Sequence, residues 1–190
     1  MRQRKKAERI RVPNDYFVTN FRFPNFENKI VIEVKVGVEK PAEGYISAYA
    51  LAVVDTGADK SCITKELAEE LGISPFKTST MGTATRIEIV NCYSGIDLIL
   101  VNGKNEEKAY KNLEVAECFR DHYGYDFIIG LNILQTGDMI ISNAKGKGLF
   151  SFRTPSSKLH IGFSSEDGEV KNKDMPLSEW EQFESSEPDS

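Results

Sequence analysis

Apolar and polar positions alternate through most of the middle of the chain. In IVIEVKV, residues 30–36, Ile30, Ile32, Val34 and Val36 fall on one side of an extended ribbon. Val31, Glu33 and Lys35 fall on the other, the period-two pattern of a half-buried strand. YISAYALAVV, residues 45–54, predicts a second strand, with Pro41 and Gly44 punctuating the link. Residues 86–90, 96–101, 110–116, 127–129, 139–141 and 149–152 continue the series. Short strands at close intervals, separated by Gly, Asn and Pro, predict a mainly β chain built as a small antiparallel barrel or sandwich.

One helix interrupts the strands. Across residues 63–72, Ile63, Leu67 and Leu71 are spaced four apart and share a face, while Lys65, Glu66, Glu69 and Glu70 point elsewhere. Thr64 is placed to cap its start and Gly72 to stop it in a left-handed turn. A shorter helical turn is expected at residues 132–135. Beyond residue 163 the chain becomes acidic, serine-rich and poor in aliphatic residues, which predicts a disordered tail. Leu177, Trp180 and Phe183 recur every third residue there. They suit one apolar stripe on a short helix docking on a partner or on the barrel, against the plainer reading of a mostly disordered tail with sticky aromatic residues.

Composition narrows the function. The chain has 190 residues with net charge -5 and 40% hydrophobic residues, enough for one core with extensions. Its charge is polarised. Residues 1–12 hold six basic side chains against one acid, and residues 164–190 hold nine acids against two lysines. The sequence pI near 5.2 argues against a nucleic-acid binder, so the basic arm reads as a solvated terminus. The longest charge-free stretches, residues 44–54 and 127–137, fall well short of the about 20 apolar residues that a spanning helix needs. No membrane span is expected, and no apolar run follows the basic start, so no secretory signal is expected either.

Three cysteines, Cys62, Cys92 and Cys118, are widely spaced, without CxxC or a Cys/His cluster. They predict reduced thiols in a cytoplasmic protein and no metal site. His122 and His160 match no metal-ligand spacing, there is no GxSxG elbow, and nothing in the sequence implies a cofactor.

The stretch that carries chemistry is LAVVDTGAD, residues 51–59. An apolar strand runs directly into Asp55-Thr56-Gly57, so a carboxylate stands at a rigid strand end with a turn beyond it. The plain reading is a turn between strands, because Asp, Thr and Gly are all turn residues. Some seventy residues downstream comes DFIIGLNIL, residues 126–134, a second apolar strand ending in Gly130 and entering a short helix. With both motifs in this order, the chain resembles the retropepsin-like aspartic proteases. The run from Ile128 through IIGLNILQTGDMIISNAKGKGLFSFRTPS, with SCIT after DTGADK, resembles the bacterial branch most.

The resemblance covers roughly residues 30–155, and it implies a fold, an activity and a set of roles. The fold is a small closed antiparallel barrel of the retropepsin type with one or two short helices, active as a homodimer. The domain would span residues 26–163, between a basic arm and lead-in at 1–25 and the acidic tail at 164–190. Asp55 matches the catalytic carboxylate, Thr56 the residue that locks two active-site loops together, and Gly57 the turn glycine. Ala58 and Asp59 match positions that bond the substrate backbone. Residues 127–130 match the strand that crosses beneath the catalytic loop. Residues 78–90 match the flap over the substrate, with Met81, Gly82 and Thr83 at its tip and Gly82 using backbone angles open only to glycine. Segments near the termini, such as residues 149–152, would pair across the dimer axis. Two positions depart from the pattern. Leu131 stands where retroviral members carry Arg, which leaves Asp59 without that ionic partner, and Lys60 stands where a second acid is sometimes found.

Stoichiometry follows from chemistry. Aspartic proteolysis needs two carboxylates sharing one proton, one acting as base toward water and the other as acid toward the carbonyl oxygen. This chain has one such motif, so Asp55 must come from two copies across a twofold axis. The leading expectation is therefore an aspartic endopeptidase acting on peptide or protein substrates. A non-catalytic dimerisation or peptide-binding module on the same fold is the alternative from another class, and an unrelated β-barrel binder with a chance Asp-Thr-Gly is the third.

Overall fold

The computed structural model describes residues 16–23, 29–82, 87–118, 124–144, 147–156, 159–160 and 175–176. The chain divides into two compact units, Met1–Pro155 and Ser156–Ser190. In the second, the described residues form one short antiparallel pairing of Leu159–His160 with Met175–Pro176. Leu177, Trp180 and Phe183 lie outside the described residues.

The first unit is mainly β. Its elements are β1 (Phe17–Phe23), β2 (Ile30–Lys40), β3 (Gly44–Val54), β4 (Cys62–Thr64), α1 (Lys65–Glu70), β5 (Lys77–Gly82) and β6 (Ile87–Val101). They continue with β7 (Glu107–Cys118), β8 (Phe127–Ile129), α2 (Leu131–Leu134), β9 (Asp138–Ala144) and β10 (Lys147–Thr154). Strands β2, β3, β8, β4, β7 and β6 follow one another around a barrel, which closes where β2 pairs with β6 from Lys35↔Ile99 to Val38↔Ile96. Strand β5 extends β6 beyond the barrel, and β1, β10 and β9 form a separate three-stranded sheet.

The alternation of β2 does what its pattern predicts. Ile30, Ile32, Val34, Val36 and Val38 face inward and are buried, against Ala50 and Ala52 of β3, Ile63, Ile96, Leu98 and Phe127. Each fully buried aliphatic side chain is worth about 1.5–3 kcal/mol of transfer free energy, so this row contributes strongly to cohesion. Helix α1 closes one end. Thr64 Oγ1 accepts the Leu67 amide at 3.3 Å, Gly72 takes a φ of +63°, and Leu67 and Leu71 reach the core. No helix among the described residues is long and apolar enough to cross a membrane.

Four features differ from the sequence reading. Residues 86–90 and 96–101, expected as two strands, belong to one 15-residue strand, β6. The intervening NCYSG looks like a turn, but Cys92 and Tyr93 are buried and paired, and bulges around Ile96 with Gly95 in a positive-φ conformation bend the strand without ending it. Two barrel pairings, β3 with β8 and β4 with β7, run parallel. Residues 149–152 were expected to pair across a dimer axis. They instead lie in β10, with both edges occupied by β1 and β9 of the same chain, so no ladder edge is left for a partner. Strand β1 was not anticipated from the alternation.

A polar anchor fixes the outer side of the barrel. Asp97 is 7% exposed, accepts the Asn112 amide at 3.0 Å on one oxygen and the Tyr45 hydroxyl at 3.3 Å on the other. Burial, followed by the charge of Asp97, pushes the Tyr45 phenol up to about 12. Tyr45→Phe is expected to cost about 1 kcal/mol near neutral pH through loss of this hydrogen bond. The unfolded phenol ionises from about pH 10 upward while the folded one keeps its proton, so native stability falls as pH rises from about 10 toward 12. Urea midpoints for wild type and Tyr45→Phe across that window should converge as pH rises.

Candidate active site

The loop after β3 is held before any side chain contributes. Strand β8 lies between β3 and β4, and the Asp55 amide continues its parallel ladder by donating to the Ile129 carbonyl at 3.0 Å. Asp55 is half-buried at the strand end. Its Oδ1 accepts the Gly57 amide at 2.8 Å, which orients the carboxylate back over the turn. A Cβ on Gly57 would lie only 3.2 Å from that same oxygen, so the missing side chain makes room for the carboxylate. Ala58 donates to the Asp55 carbonyl at 3.4 Å and completes the turn.

The far half of the loop is clamped to α2. The first amides of that helix, which have no partners within it, donate outward: Leu131 to the Ala58 carbonyl at 2.8 Å and Asn132 to the Asp59 carbonyl at 3.2 Å. Asn132 Oδ1 accepts both the backbone amide of Ser61 at 2.8 Å and its hydroxyl at 2.9 Å. The Ser61 hydroxyl in turn accepts the Gly130 amide at 3.2 Å, and Ser61 is fully buried. Gly130 has no room for a side chain. A Cβ there would stand 2.6 Å from the Lys60 carbonyl carbon and 2.8 Å from the Ala58 oxygen, both backbone atoms that cannot rotate away.

The loop faces a cleft of about 710 Å³. Asp55, Ala58, Asp59 and Lys60 line it together with Met81, Gly82, Ala116, Cys118 and Ile128. Met81 and Gly82 belong to the β5–β6 pairing, which runs from Lys77↔Cys92 to Gly82↔Ile87. The structure thus brings Asp55, Gly57, Ala58, Asp59, Met81 and Gly82 to one cavity. Thr56 is exposed, and its hydroxyl bonds no other described residue. Thr83 lies outside the described residues. Gly82 differs from expectation: its φ is not positive and a Cβ would meet open space, so nothing about its own backbone demands glycine.

The electrostatics of the cleft are simple. The carboxylate of Asp59 forms no ion pair with another described residue. Lys77 bonds Glu114 at 2.6 Å across the hairpin base and holds that carboxyl below its usual range. Burial pushes the Cys62 thiol up to about 11 and raises the Cys118 thiol as well, which favours the protonated form of both. Among the described residues, no group of His, Cys, Asp or Glu side chains is placed to hold a metal ion.

A profile described as retroviral aspartyl protease matches residues 26–141, more than half of the chain. The chain belongs to the retroviral aspartyl protease family. Among solved structures it is similar to a retropepsin-like aspartic protease from Rickettsia conorii, at 18% identity and a TM-score of 0.47, covering 73% of this chain and 95% of that one. It is also similar to the retroviral protease-like domain of Ddi1 from Leishmania major, at 18% identity and a TM-score of 0.36, covering 58% and 79%. No curated protein matches the chain.

Sequence reasoning passed over Ser61 and gave Asn132 no role beyond its place in the second motif. The available signal was a serine starting an otherwise apolar strand, far in sequence from an asparagine just inside a helix. Asn132→Ala is expected to cost about 1–3 kcal/mol for each Ser61 donor left unsatisfied, whereas Asn132→Asp keeps the acceptor and loses less. Gly130→Ala should cost about 1–3 kcal/mol through overpacking against backbone. Urea unfolding of the three variants checks this ranking, and equal midpoints for Asn132→Ala and Asn132→Asp would contradict it.

Proposed function

We propose that the protein is an aspartic endopeptidase of the bacterial branch of its family, hydrolysing peptide bonds as a homodimer. The observation that supports this most directly is the setting of Asp55. It is half-buried at a strand end, its amide is tied to β8, its carboxylate is oriented by the Gly57 amide, and it opens on a cleft that Met81 and Gly82 also line. Water held between the two Asp55 carboxylates loses a proton to one of them and adds to the scissile carbonyl carbon. The other carboxyl protonates the carbonyl oxygen, and the tetrahedral intermediate then releases the amine. Two carboxylates a few ångströms apart share one proton, so activity should follow a bell-shaped pH profile that belongs to the pair.

Ala58 and Asp59 offer backbone and side-chain partners to an extended substrate, and Met81, Gly82 and Thr83 cover it. Thr56, exposed on each copy, donates its hydroxyl across the axis to the partner loop and locks the two together. The proposed domain spans residues 26–163, with β1 added from the lead-in. The three buried thiols, Cys62, Cys92 and Cys118, suit a reducing, cytoplasmic setting.

Purified protein and Asp55→Asn, incubated with a diverse peptide library at several pH values, test the reading. Cleavage by wild type that vanishes in Asp55→Asn is expected. Binding of peptides without cleavage by either protein would favour the non-catalytic module. Thr56→Val should fold but weaken dimerisation and turnover together, by about 1–3 kcal/mol for each lost hydrogen bond. Unchanged dissociation and turnover would make Thr56 a turn residue alone.

A further inference from the structure

We infer that the cleft carries a cationic subsite, centred on Lys60, that selects peptides with an acidic side chain near the scissile bond. The inference rests on the protease reading for a peptide in the cleft, and on the charges around the cleft for which peptide that is. Lys60 follows the turn that begins at Asp55, lines the cleft and is exposed. Asp59 and Lys60 line the same cleft without pairing with each other.

The charge of Lys60 acts toward one part of the cavity. Glu114 of β7 also lines the cleft. A hydrogen bond from Lys77, and at longer range the charge of Lys60, hold its carboxyl below the usual range. Lys77 stands opposite Cys92 of β6, and Cys92 stands opposite Ala116 of β7. The Lys77 side chain crosses that row to reach Glu114 at 2.6 Å. Two ammonium groups therefore surround one carboxylate, a local excess of one positive charge. Glu114 engages Lys77 at short range, which leaves Lys60 as the cation placed to meet a group arriving with the substrate.

Sign and geometry select the class of that group. A basic side chain entering here would meet two ammonium groups around a carboxylate that Lys77 already holds. An Asp or Glu side chain would replace water at Lys60 with a charge-assisted hydrogen bond and neutralise the excess. The site is open to solvent, so such a pair changes affinity by up to roughly fivefold. The Lys60 backbone is fixed apart from this role. Its carbonyl accepts the Cys62 thiol at 3.6 Å and packs against Gly130, so the side chain can be exchanged without loosening the loop. With Asp55 supplied by two copies, Lys60 is supplied twice. The preference then falls at two substrate positions, one on each side of the scissile bond.

A peptide library with one position at a time fixed as Glu, Gln or Lys tests the subsite. Wild type should cleave Glu-fixed peptides about threefold faster than Gln-fixed ones, by kcat/KM, at two positions flanking the bond. The margin should shrink in about 0.5 M salt. Lys60→Glu should reverse the order in favour of Lys, and Lys60→Met should abolish it, with near-UV circular dichroism checking that both variants fold. Fluorescence anisotropy on Asp55→Asn reads binding of the same peptides without cleavage. It should show the same Glu-over-Gln order, which Asp55→Asn/Lys60→Met should lose. Equal handling of Glu- and Gln-fixed peptides, or a Glu preference that survives Lys60→Met, overturns the subsite while cleavage keeps the protease reading standing. Glu-selective binding by Asp55→Asn with no cleavage by wild type overturns the protease reading and keeps the subsite. Peptides neither bound nor cleaved overturn both.

Discussion

The oxygen of the Asn132 side chain, accepting from the amide and the hydroxyl of Ser61 at once, is the contact on which the rest of the site depends. The loop from Asp55 to Ser61 leaves the barrel at β3 and re-enters it at β4, and without restraint such a loop would sample many conformations. It is pinned at one end by the β8 ladder and at the other by α2. The Gly130 gap lets these two supports follow each other directly in sequence. One short segment, residues 127–132, therefore sets the position of a carboxylate more than seventy residues away in the chain.

The same economy appears in β6. A single strand runs from its pairing with β5, through a bulged bend, into the wall of the barrel. Its barrel half is buried by Ile96, Leu98 and Leu100, while Ile87 and Ile89 in its hairpin half are 76% and 79% exposed. Local stability must differ steeply along that strand, because few apolar contacts hold the hairpin and many hold the barrel segment. Under the proposed function, that difference suits a segment that yields to a peptide above a barrel that stays fixed.

A single carboxylate per chain imposes the other constraint. The barrel and the Asp55 loop are complete within one protomer, yet the proposed chemistry requires a second loop facing the first. Among the described residues, the three-stranded sheet beside the barrel uses both edges of its central strand, β10, for internal pairing.

Local pattern alone determined much of this protein. The inward row of β2, the capped helix with Thr64 and Gly72, the strand leading into Asp55-Thr56-Gly57 and the strand leading into Gly130 could all be read from residues close in sequence, because periodicity, caps and turns are local effects. The two motifs also named the family before the fold was seen. What the sequence could not decide involves partners far apart. NCYSG reads as a turn until the burial of Cys92 and Tyr93 carries the strand through it. Ser61 looks like a stray polar residue until Asn132 faces it. Residues 149–152 seem available to another chain until β1 and β9 occupy both of their edges. Strand pairing and buried hydrogen bonds are settled by which distant groups meet, and only the tertiary structure brings those groups together.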